Sequence, residues 1–245
     1  MTELSTTQLV AEIESAAATL RQKAATLSDD DVRGATELPG WSRGHVLAHL
    51  CGISNAMARQ VEYAQRGETI ELYDGGYEGR TKAIELAAGH PVVEHQADLE
   101  QALDRAIAAF RGLADADWQT PITYRGGVVY DGGLALWREL VIHLADLAVG
   151  RGAEIWSRPF CEHLFSFLQA RVPEGLRFKL QPLGMPPVTI GSGEQSVAIS
   201  GMLTDIAAWL AGRTPSLGSL RATAAADGVD LPALLPWPSG VPASK

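Results

Sequence analysis

Helical periodicity in the first 150 residues restricts the fold of this chain more than any other sequence feature. Apolar side chains recur every three to four positions in four long segments, which predict helices over residues 6–27, 43–66, 91–113 and 134–149. Ser42 stands directly before the second segment, where a serine side chain caps a helix N-terminus. Four helices of this length are enough to form a bundle.

Glycine-rich stretches separate these segments. We interpret "YDGGY" at 73–77 as a loop and "EGRTKAIELAAG" at 78–89 as a short helix. The glycine pairs Gly126–Gly127 and Gly132–Gly133 are interpreted as turns. No phosphate-binding glycine pattern is present in either place.

The last third of the chain has a different pattern. Residues 176–182, 187–191 and 195–201 are short, β-rich and bounded by turn residues, so they predict a small antiparallel sheet. A helix is expected at about 202–212, and the proline-rich tail 231–245 is expected to be extended. The predicted fold is therefore mainly α, with a four-helix bundle at 1–152 and an α+β domain at 153–245.

The charge distribution argues against nucleic acid as a partner. Residues 1–150 carry 12 Lys and Arg against 22 Asp and Glu, whereas the remaining residues carry 8 against 7. An acidic first half repels a phosphate backbone. No stretch resembles a secretory signal or is long and apolar enough to span a bilayer. We expect a cytoplasmic protein without membrane contacts, monomeric or weakly dimeric, whose two cysteines are reduced.

Two helical segments carry potential metal ligands at matched spacing. "GWSRGHVLAHL" contains His45 and His49, and "LWRELVIHLADL" contains Glu139 and His143. Residues four apart lie on one face of a helix, so each pair can point to a common position. If the two helices are neighbours, one histidine of the first pair joins the second pair in a three-ligand site with open positions. Such a site suits zinc first, then iron, nickel or manganese; ordinary core histidines are the alternative.

These two segments resemble the DinB/YfiT-like helical bundle proteins and, more narrowly, the mycothiol-dependent maleylpyruvate isomerase family. The resemblance implies that His49, Glu139 and His143 hold the metal and that His45 does not. "VAISGMLTDIAAWLAGRTP" is similar to the C-terminal domain of that family, which implies a catalytic and thiol-binding role for Arg213. A solvated helix end is the alternative role for this arginine.

The resemblance also implies a reaction. A metal-bound thiol, mycothiol in this family, is converted to a thiolate and attacks a small electrophile. Isomerisation of a double bond and net thiol transfer use the same nucleophile, and both stay open. Arg80 is a candidate for binding a substrate carboxylate, and Asp146 is placed to orient His143 or to end its helix. A metal- or ligand-binding sensor without turnover and a thiol-independent metal hydrolase are the alternative functions.

Overall fold

The computed structural model describes residues 4–150, 152–222 and 230–238. The chain divides into two compact units, with the boundary between residues 149 and 150. Within the described ranges, no helix combines the length and the apolarity needed to cross a membrane.

The first unit is helical. Its helices are α1 (Thr6–Ala24), α2 (Asp29–Arg33), α3 (Arg43–Ala64), α4 (Gly76–Ala87), α5 (Val92–Arg111) and α6 (Val129–Asp146). Helices α1, α5, α3 and α6 form a closed four-helix arrangement in which each helix packs against the next, and α4 packs on α3. The interior contains large, fully buried side chains such as Phe110 and Trp137. The predicted helical bundle is confirmed.

The start of α6 differs from the prediction by five residues. The glycine pair Gly132–Gly133 lies inside the helix and is not a turn. A Cβ atom on Gly133 would lie 2.9 Å from Leu9 and 3.3 Å from Phe110, so glycine is required for close packing of α6 against α1 and α5. The glycines that suggest a turn in the sequence therefore permit close packing between helices.

The second unit combines helices with a small sheet. Its elements are α7 (Arg158–Leu168), β1 (Leu176–Pro182), β2 (Val188–Ile190), β3 (Gln195–Gly201), α8 (Leu203–Leu210) and β4 (Arg221–Ala222). The strand order is β2-β1-β3-β4. Helix α7, which the sequence pattern did not predict, is capped by Ser157 and has a proline in its first turn.

The sheet is mixed, which corrects the antiparallel prediction. β2 and β4 run antiparallel to their neighbours, but the central strands β1 and β3 are parallel. After β2, the chain returns past the start of β1, where the Gly193 amide donates to the carbonyl of Leu176. A Cβ atom on Gly193 would lie 2.0 Å from the Gly175 carbonyl carbon, so this tight return requires glycine. The chain thereby reaches the other side of β1 and pairs in parallel.

The described part of the tail, 230–238, has no helix or strand. Leu235 exchanges hydrogen bonds with Arg171, and the Trp237 ring lies 5.7 Å from Phe167. The rest of the predicted extended tail, 239–245, lies outside the described residues.

Candidate metal centre

The structure brings His49, Glu139 and His143 together at the contact between α3 and α6. One potential ligand atom from each lies within 4.8 Å of the other two. His49 Nε2 is 2.8 Å from Glu139 Oε2, and His143 Nε2 is 3.2 Å from the same oxygen. His49 is buried, while Glu139 and His143 are partly exposed. The site therefore lies at the edge of the core and not within it.

These separations fit a bound ion. Ligand atoms at about 2.0–2.1 Å from a zinc ion lie roughly 2.9–3.4 Å apart in tetrahedral or octahedral geometry. The two nitrogen–oxygen distances at this site fall in or next to that range. Two imidazoles and one carboxylate are also a donor set that divalent ions of the zinc and iron type accept. The residues present therefore fit a divalent cation.

Polar contacts continue outward from both histidines. His143 Nδ1 lies 2.8 Å from Asp146 Oδ2, and this carboxylate is buried. A carboxylate on the outer nitrogen orients the ring and directs the other nitrogen, Nε2, toward Glu139. On the other side, Arg80 Nη2 donates to His49 Nδ1 over 3.0 Å.

The pKa values of the two imidazoles are shifted in opposite directions by their surroundings. Burial, reinforced by the charges of His143 and Arg80, lowers the pKa of His49 to about 4. Burial also opposes charge on His143, but hydrogen bonds to Asp146 and Glu139 outweigh it and raise its pKa to about 9. Hydrogen bonds from His143 and His49 hold the pKa of Glu139 well below its usual value, although burial would raise it. Without a metal, the site contains one neutral imidazole, one imidazolium and one carboxylate.

His45 has a structural role at the start of α3. The Ser42 amide donates to His45 Nδ1, and the Ser42 hydroxyl accepts from the His45 amide. This is a capping box in which histidine takes the place usually held by glutamate. His45 Nε2 lies 3.4 Å from Glu85, so both ring nitrogens face partners other than the three-residue cluster.

Trp41 contacts the imidazoles of the site, a placement that the sequence pattern did not predict. Its ring centroid lies 5.7 Å from that of His49 and 6.5 Å from that of His143. Trp41 directly precedes the capping serine, a position from which an apolar side chain folds back over the first helical turn. That position in the sequence is the signal that could have placed it here.

A loop fixed to α3 positions Arg80. Arg59 donates to the carbonyls of Glu71 and Leu72 and pairs with Asp74. The next residues turn sharply into α4: a Cβ atom on Gly79 would lie 1.9 Å from the Asp74 carbonyl oxygen. The segment "YDGGYEGR" therefore directs Arg80 toward His49.

Arg80 is also held on its other side by an aromatic ring. Its guanidinium lies 5.8 Å from the centroid of Tyr73. Burial raises the pKa of this tyrosine above its usual value, so the phenol stays neutral. Substrate binding by Arg80 stays a prediction.

Arg213 lies in the second unit, just after α8. Its Nη1 donates to the carbonyl of Ala211, and Gly212 adopts the left-handed conformation between them. This is the geometry of a helix C-terminus. A role of Arg213 in catalysis stays a prediction.

The sequence profile described as the mycothiol maleylpyruvate isomerase N-terminal domain matches residues 13–148, more than half of the chain. The chain belongs to the mycothiol maleylpyruvate isomerase family. The profile for the C-terminal domain of that family matches residues 156–236. No curated protein sequence gives a significant match.

Solved structures show the same fold. The crystal structure of the mycothiol-dependent maleylpyruvate isomerase superposes with a TM-score of 0.83, at 19% identity, over 96% of this chain and 99% of that one. A histidine-to-alanine mutant of that isomerase gives a TM-score of 0.83 at 18% identity, with the same coverage of both chains. Members of this family with such low identity share the two-unit architecture along nearly their whole length.

Proposed function

We propose that this protein is a metal-dependent enzyme that activates mycothiol for attack on a small electrophile, with isomerisation or thiol transfer as the outcome. The observation that carries the proposal is the convergence of His49, Glu139 and His143 from two helices at ligand spacing. Family membership and the printed names of the solved relatives support the choice of thiol and reaction. We further propose zinc as the ion and the cytoplasm as the compartment.

The roles of the residues follow from their contacts. His49, Glu139 and His143 would hold the ion, which supplies positive charge that lowers the pKa of a coordinated thiol. Asp146 would keep the His143 ring in the orientation that directs Nε2 inward. Trp41 covers the two imidazoles and would limit the access of water from that side.

The substrate chemistry needs an electrophilic carbon. In isomerisation, the thiolate adds to an activated cis double bond, the resulting single bond rotates, and expulsion of the thiolate leaves the trans product. In transfer, the carbon–sulfur bond is retained and the adduct takes up a proton. We propose that Arg80 and Arg213 bind anionic or polar groups of the substrate and the thiol.

The test is incubation of zinc-loaded protein with mycothiol and a panel of activated alkenes, followed by mass spectrometry and chromatography. We expect adducts or isomerised products with wild type and their loss in His49→Ala. The control His90→Ala should retain them, because His90 lies between α4 and α5 and contacts Glu94, not the three-residue cluster. Product formation without thiol would instead indicate a hydrolase. Zinc binding without any product would indicate a binding protein, and unchanged activity in His49→Ala would refute the assigned site.

A further inference from the structure

Arg80 donates a hydrogen bond to the outer ring nitrogen of His49, a candidate metal ligand. Its Nη2 lies 3.0 Å from His49 Nδ1; His49 is buried and Arg80 is half-buried. A guanidinium has only N–H donors and cannot accept a hydrogen bond. Nδ1 of His49 is therefore the acceptor, and the proton of the neutral ring lies on Nε2.

This tautomer conflicts with metal binding through the inner nitrogen. Nε2 faces Glu139 at 2.8 Å, so it is the atom through which His49 would bind an ion. A neutral imidazole that binds through Nε2 carries its proton on Nδ1, where it becomes a donor. The Arg80 N–H group and the Nδ1 proton would then face each other, which removes the hydrogen bond.

We propose that Arg80 competes with the metal for His49, so that metal binding releases the guanidinium. This inference rests on the metal site proposed above and adds a function to it. In the metal-free protein, Arg80 locks His49 in the tautomer that does not bind metal. Metal binding moves the ring proton from Nε2 to Nδ1, with no net gain or loss at His49, and breaks the contact with Arg80.

The released guanidinium is available to an anion. Tyr73 keeps it in place from its other side, so release does not require the arginine to leave the site. An anion that pairs with Arg80 removes the competitor of the metal. Metal and anion should therefore bind with positive coupling, because each favours the state in which Arg80 is detached from His49.

The zinc affinity of Arg80 variants tests the competition without any activity assay. Zinc dissociation constants are measured with a competing chelator for wild type, Arg80→Met and the control Lys82→Met. Lys82 lies on the same helix and pairs with Glu78 at the surface, so its substitution removes one positive charge without touching His49. We expect Arg80→Met to bind zinc about threefold to tenfold more tightly, the worth of one hydrogen bond, with Lys82→Met close to wild type.

Two further measurements complete the test. Long-range nitrogen–proton NMR of histidine-labelled protein, with the His49 signal assigned from His49→Gln, should show the Nε2 proton without zinc and the Nδ1 proton with zinc. Formate, compared with chloride at constant ionic strength, should raise the zinc affinity of wild type and leave that of Arg80→Met unchanged.

The outcomes separate the inference from the proposed function. Zinc binding that is independent of His49 overturns both. Zinc binding that requires His49 but is no tighter in Arg80→Met overturns the competition alone. A proton on Nδ1 in the metal-free protein, or an equal effect of formate on both proteins, also refutes it.

Discussion

Proton release on metal binding follows directly from the pKa values of the two imidazoles. His143 has a pKa of about 9, so at pH 6 roughly a thousand rings are protonated for each neutral one. Its Nε2 must lose that proton before it can bind an ion. His49, with a pKa of about 4, is neutral at pH 6 and releases none. We therefore expect one proton to be released per zinc ion at pH 6.

The proton on His143 also sets the pH dependence of the zinc affinity. The pKa of His143 is raised, so its proton competes with zinc at all pH values below about 9. Zinc affinity should rise about tenfold per pH unit between about pH 5 and pH 9, where only His143 carries a competing proton, and should level off above that range. Asp146→Asn keeps an acceptor for Nδ1 but removes the charge that raises the pKa. The zinc affinity of this variant should therefore stop rising at a lower pH than that of wild type. Above pH 9 the variant should bind zinc about 10- to 100-fold more weakly than wild type.

Calorimetry in two weakly coordinating buffers with different ionisation enthalpies counts the protons, and chelator competition at several pH values gives the affinities. Glu85→Gln is the control, because Glu85 faces His45 and not the three-residue cluster. Release of no proton or of two protons would contradict the assigned protonation states. An unchanged levelling point in Asp146→Asn would show that Asp146 does not set the pKa of His143.

Two further predictions concern packing and thiol reactivity. Gly133→Ala should lower the free energy of unfolding by about 1–3 kcal/mol, because the added Cβ atom overlaps its neighbours. At Gly52 a Cβ atom meets nothing within 4 Å, so Gly52→Ala should raise the free energy of unfolding by about 0.5–1 kcal/mol. Urea unfolding measures both changes, and equal effects would contradict the packing argument. Burial raises the pKa of Cys51 and of Cys161 to about 12. Both thiols should therefore react slowly with a disulfide reagent at pH 8 in the folded protein and rapidly in urea. Fast reaction of the folded protein would contradict their burial.

The sequence predicted the bundle because helix formation depends on local periodicity. The three helices α1, α3 and α5 end within three residues of their predicted limits. The start of α6 was missed because a glycine pair is locally a turn signal, and only contact with Leu9 and Phe110 explains its place inside a helix. The parallel pairing of β1 and β3 was missed because strand direction depends on a long-range contact, the passage of the chain past the start of β1.

The candidate site shows the same division between local and long-range information. Residues four apart on one helix predict the pairing of Glu139 with His143, and the family resemblance selected His49 over His45. The contact between Arg80 and His49 joins residues 31 positions apart through a loop with no periodic pattern. The ring contacts of Trp41 also depend on packing between α3 and α6. Contacts of this kind are visible only once the helices are placed.

The link between the ends of α3 and α6 has a consequence for how the protein captures an ion. Arg43, in the first turn of α3, donates from Nε to the carbonyl of Leu147 just after α6, over 2.7 Å. This bond joins the two ligand-bearing helices close to His49 and His143, where helix ends otherwise fray. The backbone that carries the imidazoles is thus ordered before the cation binds. Metal binding does not have to order it, so no affinity for the cation is lost to that change in entropy.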